Sequence, residues 1–318
     1  MSFSGEVKEE LIKHLESARH CQLAELAALV NMCGRVCISE TGKYSLEIRT
    51  EKEGVARKCF TLLEKAFNIE AEIVVKKSRY LKKGNVYIVA VKNHQEATRI
   101  LQATKILDAE GEIDESVSLV SNTIIQQDCC KRAFLRGAFL SAGSISAPEK
   151  FYHLEIVCTV LEKAQKLQSI IRSLGLEAKV VARKRYFVVY IKEGAVIVDM
   201  LALMGANVAL MDLENVRILK EMRNNVNRKV NCETANINKT VSAAVKQIED
   251  IKYIEETTGF SDLAQGLQEI ATARLEYPDA TLKELGEMLT PAVGKSGVNH
   301  RLRKLSDIAE EIRGGCYD

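Results

Sequence analysis

The sequence predicts an α+β protein in which a duplicated unit of helices and strands precedes an all-α domain. Two nine-residue segments, "LAALVNMCG" at 26–34 and "LRGAFLSAG" at 135–143, share an outline of small and apolar residues that ends in glycine. They lie 109 positions apart, and the segments after them repeat in the same order. Beyond residue 212 the composition shifts toward Asn, Lys and Arg. Repetition at a fixed offset indicates a duplicated architecture.

Each half reads as helix, strand, helix, strand, strand, helix. β-branched runs bounded by polar turns predict the strands, and apolar residues three and four apart, such as Leu62, Leu63 and Ala66, predict the helices. The matching pairs are "YSLEI" (44–48) with "YHLEI" (152–156), the helix-and-strand segments 55–79 and 163–185, and "VYIVAV" (86–91) with "YFVVYI" (186–191).

The helices that open each half carry small residues four apart. Gly137 and Ser141 have this spacing, as do Ala24 and Ala28. Residues at this spacing share one helix face and let two backbones approach closely. We therefore expect the two helices to pack on each other across a pseudo-twofold axis, although ordinary core helices of separate domains are the alternative.

The tail predicts a helical connector followed by three helices. We read the Asn- and Lys-rich segment after residue 212 as a long, broken helix whose basic residues either contact phosphate or are simply solvated. Within 261–313, Thr281 and Glu284 form a capping-box pattern at the start of a short helix. The last helix repeats apolar residues at three and four, from Val298 to Ile312. A short helix, a turn and a longer helix outline a helix-turn-helix.

Basic residues cluster at the start of that last helix. Between 295 and 304 there are four Lys or Arg and no acid, together with Ser296, Asn299 and His300. Such side chains anchor phosphates and contact base edges when they lie at the N-terminal end of a recognition helix. A structural three-helix bundle with a solvated basic face is the alternative.

Composition narrows the function further. The net charge is only +2, so a nucleic-acid site must arise from local clustering. The opening "MSFSGEVKEEL" lacks the basic start and apolar core of a signal peptide, so we do not expect secretion. Asp199, Asn207 and two glycines interrupt the apolar stretch 194–211, which favours one or two buried helices over a membrane span.

The nine cysteines predict free, buried thiols in a reducing cytoplasm. No Cys-x-x-Cys pair occurs, and the five histidines do not fall near cysteine at ligand spacing. We therefore expect no zinc site, and no cofactor.

The two nonapeptides resemble the signature helices of the LAGLIDADG homing-endonuclease family. In that family the helices lie side by side above a four-stranded sheet in each half, and the acid before the final glycine holds catalytic magnesium. Here those positions are Cys33 and Ala142, with Arg35 and Ser144 at the helix tips. Neither Cys nor Ala offers the hard oxygen ligand that Mg²⁺ prefers. The resemblance implies a pseudo-twofold αββαββα scaffold that has lost its metal site.

Over its full length the sequence resembles the WhiA family of bacterial sporulation and cell-division regulators. The resemblance is carried by "MSFSGEVKEEL", "LRGAFLSAGSISAPEKFYHLEI" (135–156), "NRKVNCETANINKT" and "KSGVNHRLRKL" (295–305). It implies a degenerate LAGLIDADG domain joined to a C-terminal helix-turn-helix, promoter DNA as partner, and roles in cell division, chromosome segregation and, in sporulating bacteria, sporulation. A protein co-regulator and a cytoplasmic, nucleoid-associated location are further implications, with no membrane partner.

We accordingly predict a non-catalytic, sequence-specific DNA-binding transcription regulator. The expected domains are two LAGLIDADG-like repeats at 1–113 and 114–215, a connector at 216–257 and a helix-turn-helix domain at 258–318. The predicted DNA-binding residues are Thr281, Lys283, Lys295, Ser296, Gly297, Asn299, His300, Arg301, Arg303 and Lys304. Secondary contacts are expected from Lys76, Lys77, Arg79, Arg183, Lys184, Arg185, Arg228 and Lys229.

Two rival functions stay open at this point. A metal-dependent endonuclease would need relocated acids, for which Glu25, Asp128 or Glu155 would have to serve. A structural partner in the division machinery would contact DNA only incidentally. The duplicated domain itself could add a second DNA footprint or act as a protein-docking surface.

Overall fold

The structure, a computed structural model, describes residues 2–77, 84–107 and 120–315. These residues form two compact units, Met1–Lys220 and Glu221–Asp318, each with its own hydrophobic core. The predicted boundary after residue 215 and the division after Lys220 both fall within one helix, α8 (Asn207–Thr257). None of the helices among the described residues combines the length and apolar character that crossing a membrane requires.

The first unit contains the predicted duplication. A leading helix, α1 (Phe3–Lys13), precedes the first repeat. The elements of the first repeat are α2 (Arg19–Cys33), β1 (Gly34–Ile38), β2 (Tyr44–Thr50), α3 (Glu53–Phe67), β3 (Glu72–Lys77), β4 (Asn85–Val91) and α4 (His94–Ala103). Those of the second are α5 (Asp128–Ala142), β5 (Gly143–Ile145), β6 (Leu154–Cys158), α6 (Leu161–Ser173), β7 (Lys179–Arg183), β8 (Tyr186–Ile191) and α7 (Gly194–Met204).

Each repeat builds a four-stranded antiparallel sheet with the same strand order, β1-β2-β4-β3 and β5-β6-β8-β7. The registers also match, since Leu46 pairs with Val91 and Leu154 pairs with Ile191. The repeated order αββαββα confirms the fold that the family resemblance implied. The pattern of residues alone missed β1 and β5, because these short strands follow the nonapeptide helices directly, without a polar turn.

Helices α2 and α5 pack closely against each other, as the small residues predicted. A Cβ placed on Gly137 would lie 2.5 Å from the Glu25 backbone oxygen and 2.9 Å from the Ala28 Cβ. Only glycine therefore permits this separation of the two helices. Leu26, Ala27 and Leu29 of α2 and Leu135, Ala138 and Phe139 of α5 are all fully buried in the core that the helices share.

The tail differs from the prediction in one respect: α8 is a continuous helix, not a broken one. Asn-rich sequence lowers helix propensity only modestly, and neither Pro nor Gly occurs between Asn207 and Thr257. The three predicted tail helices are present as α9 (Gln265–Glu276), α10 (Leu282–Met288) and α11 (Lys295–Gly314). The apolar stretch 194–211 forms α7 and the first turn of α8. The prediction of buried helices holds for one face of α7, which includes Ile197 and Leu201, whereas Val208 and Met211 of α8 are exposed.

Candidate nucleic-acid interface

The tip of the paired nonapeptide helices carries no carboxylate. Cys33 closes α2 and Ala142 closes α5. The Cys33 thiol donates to the Leu29 carbonyl at 3.0 Å and lies 3.7 Å from the Ser141 hydroxyl. Burial raises the pKa of this thiol, which keeps it protonated near neutral pH. The tip therefore offers a neutral thiol and a methyl group where a magnesium site would need two acids.

A buried cation lies beside this tip. The Lys8 ammonium donates to the Leu140 carbonyl at 3.1 Å and is 7% exposed. Burial first, and then the like charge of Lys52, lower its pKa to about 8, while Cys33 opposes the shift. Lys8 also lines a cleft of about 390 Å³ together with Arg49, Lys52 and Ser141. A positive charge at this place repels divalent cations rather than holding them.

The first of the three relocated acids is enclosed in a buried ionic cluster. Glu25 is fully buried and pairs with the Lys58 ammonium at 2.7 Å and with the Arg136 guanidinium at 3.2 Å. Lys58 also donates to the Leu11 and His14 carbonyls, and Arg136 to the Met204 carbonyl and Glu16. Glu25 therefore joins helices and has no access to a phosphate.

The other two acids are separate from it and from each other. Asp128 is exposed at the first turn of α5 and pairs with Lys131 at 2.8 Å. Glu155 on β6 contacts His153 at 3.1 Å, Arg183 at 3.4 Å and the Ser144 hydroxyl at 3.2 Å. The structure does not bring these acids together, so they do not form a shared metal site.

The helix-turn-helix of the second unit is built as predicted. Thr281 and Glu284 form the capping box: the Thr281 amide donates to the Glu284 carboxylate at 2.7 Å, and the Glu284 amide donates to the Thr281 hydroxyl at 3.3 Å. The hydrogen bond from the Thr281 amide to the carboxylate lowers the pKa of Glu284. Gly286 of α10 packs against the segment that precedes α11. Its carbonyl accepts from the Val293 amide at 2.9 Å, and a Cβ at position 286 would collide with the Val293 backbone.

A residue that sequence reasoning missed fixes the start of α10. Arg274 of α9 is 3% exposed, and it donates to the Ala280 carbonyl at 2.7 Å and to the Gln247 side chain at 2.9 Å. Nothing in the local pattern marks Arg274, since its partners come from a different helix and from the turn. Beside it, a groove of about 800 Å³ is lined by α8, the turn before α10, and Lys295 and Asn299 of α11.

Helix α11 divides into a buried stripe and an exposed polar face. Val298, Leu302, Leu305 and Ala309 are buried in the core of the second unit. Lys295, Asn299 and Arg303 follow each other four residues apart, and Ser296 and His300 repeat this spacing beside them. The exposed members of the predicted set are Thr281, Lys283, Lys295, Ser296, His300, Arg303 and Lys304, while Gly297 and Asn299 are half-buried.

Arg301 is placed differently from the other predicted residues. Its guanidinium donates to the Gly266 carbonyl of α9 at 3.2 Å, and the side chain is half-buried. The residue therefore packs against a neighbouring helix. The cluster of charge in the sequence could not reveal this, because Arg301 and Arg303 differ only in the helix face that they occupy.

The residues predicted to make secondary DNA contacts lie in three places. Lys76 on β3 and Arg183 on β7 occupy equivalent positions of the two repeats, and both are exposed. Lys77 ends β3, Lys184 and Arg185 form the turn between β7 and β8, and Arg228 and Lys229 are exposed on α8. Arg79 lies outside the described residues. Acids share these sheets, as the Arg183–Glu155 and Arg49–Glu47 pairs show.

The structure also assembles a group of side chains that the sequence reasoning passed over. His20 and Cys21 at the start of α2 meet Cys129 and Cys130 at the start of α5, with all ligand atoms within 4.8 Å of one another. Burial raises the pKa of Cys21 to about 12 and also raises that of Cys130. Cys129 and Cys232 are exposed, contrary to the expectation of uniformly buried thiols, and Cys316 lies outside the described residues.

Three family models match consecutive parts of the chain. The WhiA N-terminal LAGLIDADG-like domain matches residues 19–107, the WhiA LAGLIDADG-like domain matches 131–223, and the WhiA C-terminal HTH domain matches 226–309. Together these matches cover both repeats and the helix-turn-helix.

Proteins similar over their whole length carry the same family name. The chain is 54% identical over 313 residues to the "Probable cell division protein WhiA" of Lachnoclostridium phytofermentans, covering 98% of this chain and 100% of that protein. It is also 49% identical over 320 residues to the protein of the same name from Clostridium perfringens, and the alignment covers 100% of both proteins. Among solved structures, the fold is similar to the crystal structure of full-length DUF199/WhiA from Thermatoga maritima. The structural alignment covers 98% of this chain and 99% of the other, with 25% sequence identity and a TM-score of 0.58.

Proposed function

The chain belongs to the WhiA family, and we propose that it is a non-catalytic, sequence-specific DNA-binding regulator of genes for cell division. The observation that carries this proposal is the exposed polar face of α11. Lys295, the half-buried Asn299 and Arg303 follow one line of that face about a quarter-turn from the buried stripe, and Ser296 and His300 lie opposite the stripe. A helix held in this way presents its N-terminal half to the major groove.

The side chains on this face have two proposed roles, contact with phosphates and contact with bases. Lys295, Arg303 and Lys304 neutralise phosphates, which makes affinity fall with rising salt. Ser296, Asn299 and His300 approach base edges, where an Asn amide pairs with adenine in a bidentate manner. Arg301 supports the helix through its bond to Gly266 and contributes less to the DNA contact than its charge predicts. Promoter regions are the proposed targets, and the nucleoid in the cytoplasm is the proposed location.

The scaffold of the first unit supports binding rather than cleavage. Cys33 and Ala142 are poor ligands for a hard cation, and Lys8 adds a positive charge beside them. Glu25, Asp128 and Glu155 are each engaged with cations in separate places. Lys76 and Arg183, at equivalent exposed positions, are the residues proposed to give this unit a second DNA footprint. A protein co-regulator docked on the same surface is the alternative use of it, and sporulation is a role only where the host sporulates.

The test is binding of the intact chain to fragments of its own genome, followed by Mg²⁺ in the same reactions. Asn299→Ala should relax specificity at one base position and cost about 1–3 kcal/mol on the best site. Arg303→Ala should weaken binding to all sequences alike. Lys246→Ala, which removes an exposed charge that pairs with Glu310 toward the other end of α11, is the matched control and should bind normally. Unselective binding by the wild type, or cutting that a chelator abolishes, would overturn the proposal.

A further inference from the structure

The strongest unexplained feature of the first unit is the cluster of His20, Cys21, Cys129 and Cys130. Its four members come from the first turns of α2 and α5, the two helices that pack across the pseudo-twofold axis. His20 corresponds to Cys129 and Cys21 to Cys130, because the nonapeptide repeat has the same offset. The cluster therefore lies on the axis, at the opposite end of the helix pair from Cys33 and Ala142.

The distances within the cluster fit one small ion. The His20 Nδ1 lies 3.2 Å from the Cys130 sulfur, 3.3 Å from the Cys21 sulfur and 4.0 Å from the Cys129 sulfur. In a tetrahedral zinc site with Zn–S of about 2.3 Å and Zn–N of about 2.0–2.1 Å, the corresponding N–S separations are about 3.6 Å. The S–S separations in such a site are about 3.8 Å, and all ligand atoms here lie within 4.8 Å of one another.

From this arrangement we infer that the two repeats together bind one zinc ion, through one histidine and three cysteines. The donor set is the Cys₃His type found in structural zinc sites, where soft thiolates and imidazole select Zn²⁺ over the hard cations. The ligand atoms are too close together to enclose a four-iron cluster. No other group of three or more such side chains with this geometry occurs among residues 2–77, 84–107 and 120–315.

The surroundings suit a metal ion in two further ways. Both helices direct their N-terminal ends to the cluster, and the partial positive charge there stabilises thiolates that are bound to a cation. A cleft of about 270 Å³, whose lining includes Lys105 as well as His20 and Cys130, borders the cluster. His20 and Cys129 are themselves exposed, so an ion can reach the cluster from solvent. Each cysteine that binds loses its thiol proton to water, and the ion takes the place of those protons.

Such an ion would join the repeats at one end of their interface. The two pairs of ligands are separated by more than a hundred residues, so the ion closes a long loop of the folded chain and fastens α2 to α5. The spacing of cysteine and histidine along the chain predicted no zinc site, because the two ligand pairs lie far apart in the sequence. His20–Cys21 and Cys129–Cys130 are two adjacent pairs that only the duplicated fold brings together.

The experiment uses the full-length chain, purified and reduced under argon, with Zn²⁺ and Co²⁺ as probes. Elemental analysis after removal of loosely bound metal should find one zinc per chain. Co²⁺ should give the intense visible bands of a tetrahedral thiolate site, and added Zn²⁺ should displace them. A chelator should lower the Tm of the wild type, since a ligand of the folded state stabilises it.

Variants decide whether the cluster is the site. His20→Ala and Cys129→Ser alter exposed side chains and should leave the chain folded, while they weaken zinc affinity by at least about tenfold. Cys232→Ser, an exposed cysteine of α8, and Cys158→Ser, a buried one of β6, are the controls and should bind zinc as the wild type does. A reduced wild-type chain that gives no cobalt bands overturns the inference, and so do bands that persist unchanged in His20→Ala and Cys129→Ser.

Discussion

At the scale of single residues, the first unit contains a cluster of buried charges. Glu25, Lys58 and Arg136 are almost completely excluded from solvent and are arranged so that one carboxylate faces two cations. Backbone carbonyls of Leu11 and Met204 accept from the two cations. A buried ion pair adds little net stability, but the loss of one partner leaves an uncompensated charge in the core. Glu25 is therefore a structural residue, although its position in a nonapeptide helix drew attention to it as a relocated acid.

We expect Glu25→Gln to lower the free energy of unfolding by about 3–5 kcal/mol, because it leaves the Lys58 and Arg136 charges without a counterion. Denaturant unfolding of the full chain measures the change. Glu53→Gln breaks an exposed pair with Arg57 and should cost no more than about 0.5 kcal/mol. Equal losses in the two variants would mean that the buried cluster has no special role.

Lys8 gives a prediction about pH. The pKa of Lys8 falls from 10.5 to about 8 on folding, chiefly because the ammonium is buried. Between these two pH values the unfolded chain binds more protons than the folded chain, so stability rises with pH across the window. The full effect corresponds to roughly 3 kcal/mol.

Lys8→Met should remove this rise, so that the variant is more stable than the wild type below pH 8 and the difference shrinks toward pH 10.5. Unfolding measured at several pH values tests it against Lys13→Met, which alters an exposed lysine of the same helix. The raised pKa of Cys33 acts in the opposite direction, and because the Lys8 charge lowers the Cys33 pKa, the shift at Cys33 is larger in Lys8→Met than in the wild type or Lys13→Met. A constant difference between Lys8→Met and the wild type over the window would contradict the account.

At the scale of elements, the contact between α2 and α5 holds the duplication together. Gly137 allows the α5 backbone to approach the Glu25 carbonyl of α2, where a Cβ would lie at 2.5 Å. The helices therefore cross at a distance that only small residues permit, and the sheets that follow them have the same strand order.

Gly137→Ala should destabilise the chain by about 1–3 kcal/mol, since the added methyl group forces two packed backbones apart. Thermal or denaturant unfolding provides the measurement. The matched control is Gly314→Ala in the last turn of α11, where an added Cβ meets nothing within 4 Å. A stabilisation by Gly137→Ala, as expected for an unconstrained helical glycine, would show that the helices do not pack this closely.

Helix α11 leads to a prediction that separates folding from DNA binding. Arg303 is exposed on the face that carries Asn299, whereas Arg301 donates to the Gly266 carbonyl. We expect Arg303→Ala to weaken DNA binding and leave Tm unchanged, and Arg301→Ala to lower Tm with a smaller loss of affinity. Thermal melts and binding titrations on both variants decide this. The reverse assignment of the two effects would place Arg301 on the DNA-facing side.

At the scale of the whole molecule, two units with different surfaces share one chain. The second unit carries the helix-turn-helix, and the first presents basic residues among acids on both sheets. Because a single recognition helix reads only a few base pairs, useful specificity needs either a second copy of the chain or a contribution from the first unit.

Binding by the intact chain should be more selective than binding by residues 221–318 alone, and its logarithmic slope with salt should be steeper because more phosphates are neutralised. Lys76→Ala combined with Arg183→Ala in the intact chain should reduce that slope by about 1–2. Titrations at several salt concentrations measure both quantities. If the double variant keeps the wild-type slope, the first unit does not contact DNA through these residues and is better explained as a surface for a protein partner.

The sequence by itself determined the duplication, the packing of the two small-residue helices, the capping box at Thr281 and the buried stripe of α11. All of these depend on local periodicity or on the repetition of a pattern, which one-dimensional reading can detect. The sequence pattern did not predict the short strands β1 and β5, because no turn residue separates them from the preceding helices. It also did not predict that α8 is continuous, because the many Asn residues suggested a break although Asn only weakly opposes a helix.

Only the tertiary structure decided which charged side chains serve the fold and which are free to bind. Glu25, Arg136, Arg274 and Arg301 carry charge like their exposed neighbours, and their partners lie on other helices or, for Arg274, also in the turn before α10. It likewise brought His20 and Cys21 to Cys129 and Cys130. The physical reason is the same in each case: these groups meet across a fold whose contacts join residues far apart in the chain, and no pattern within a short window records such a meeting.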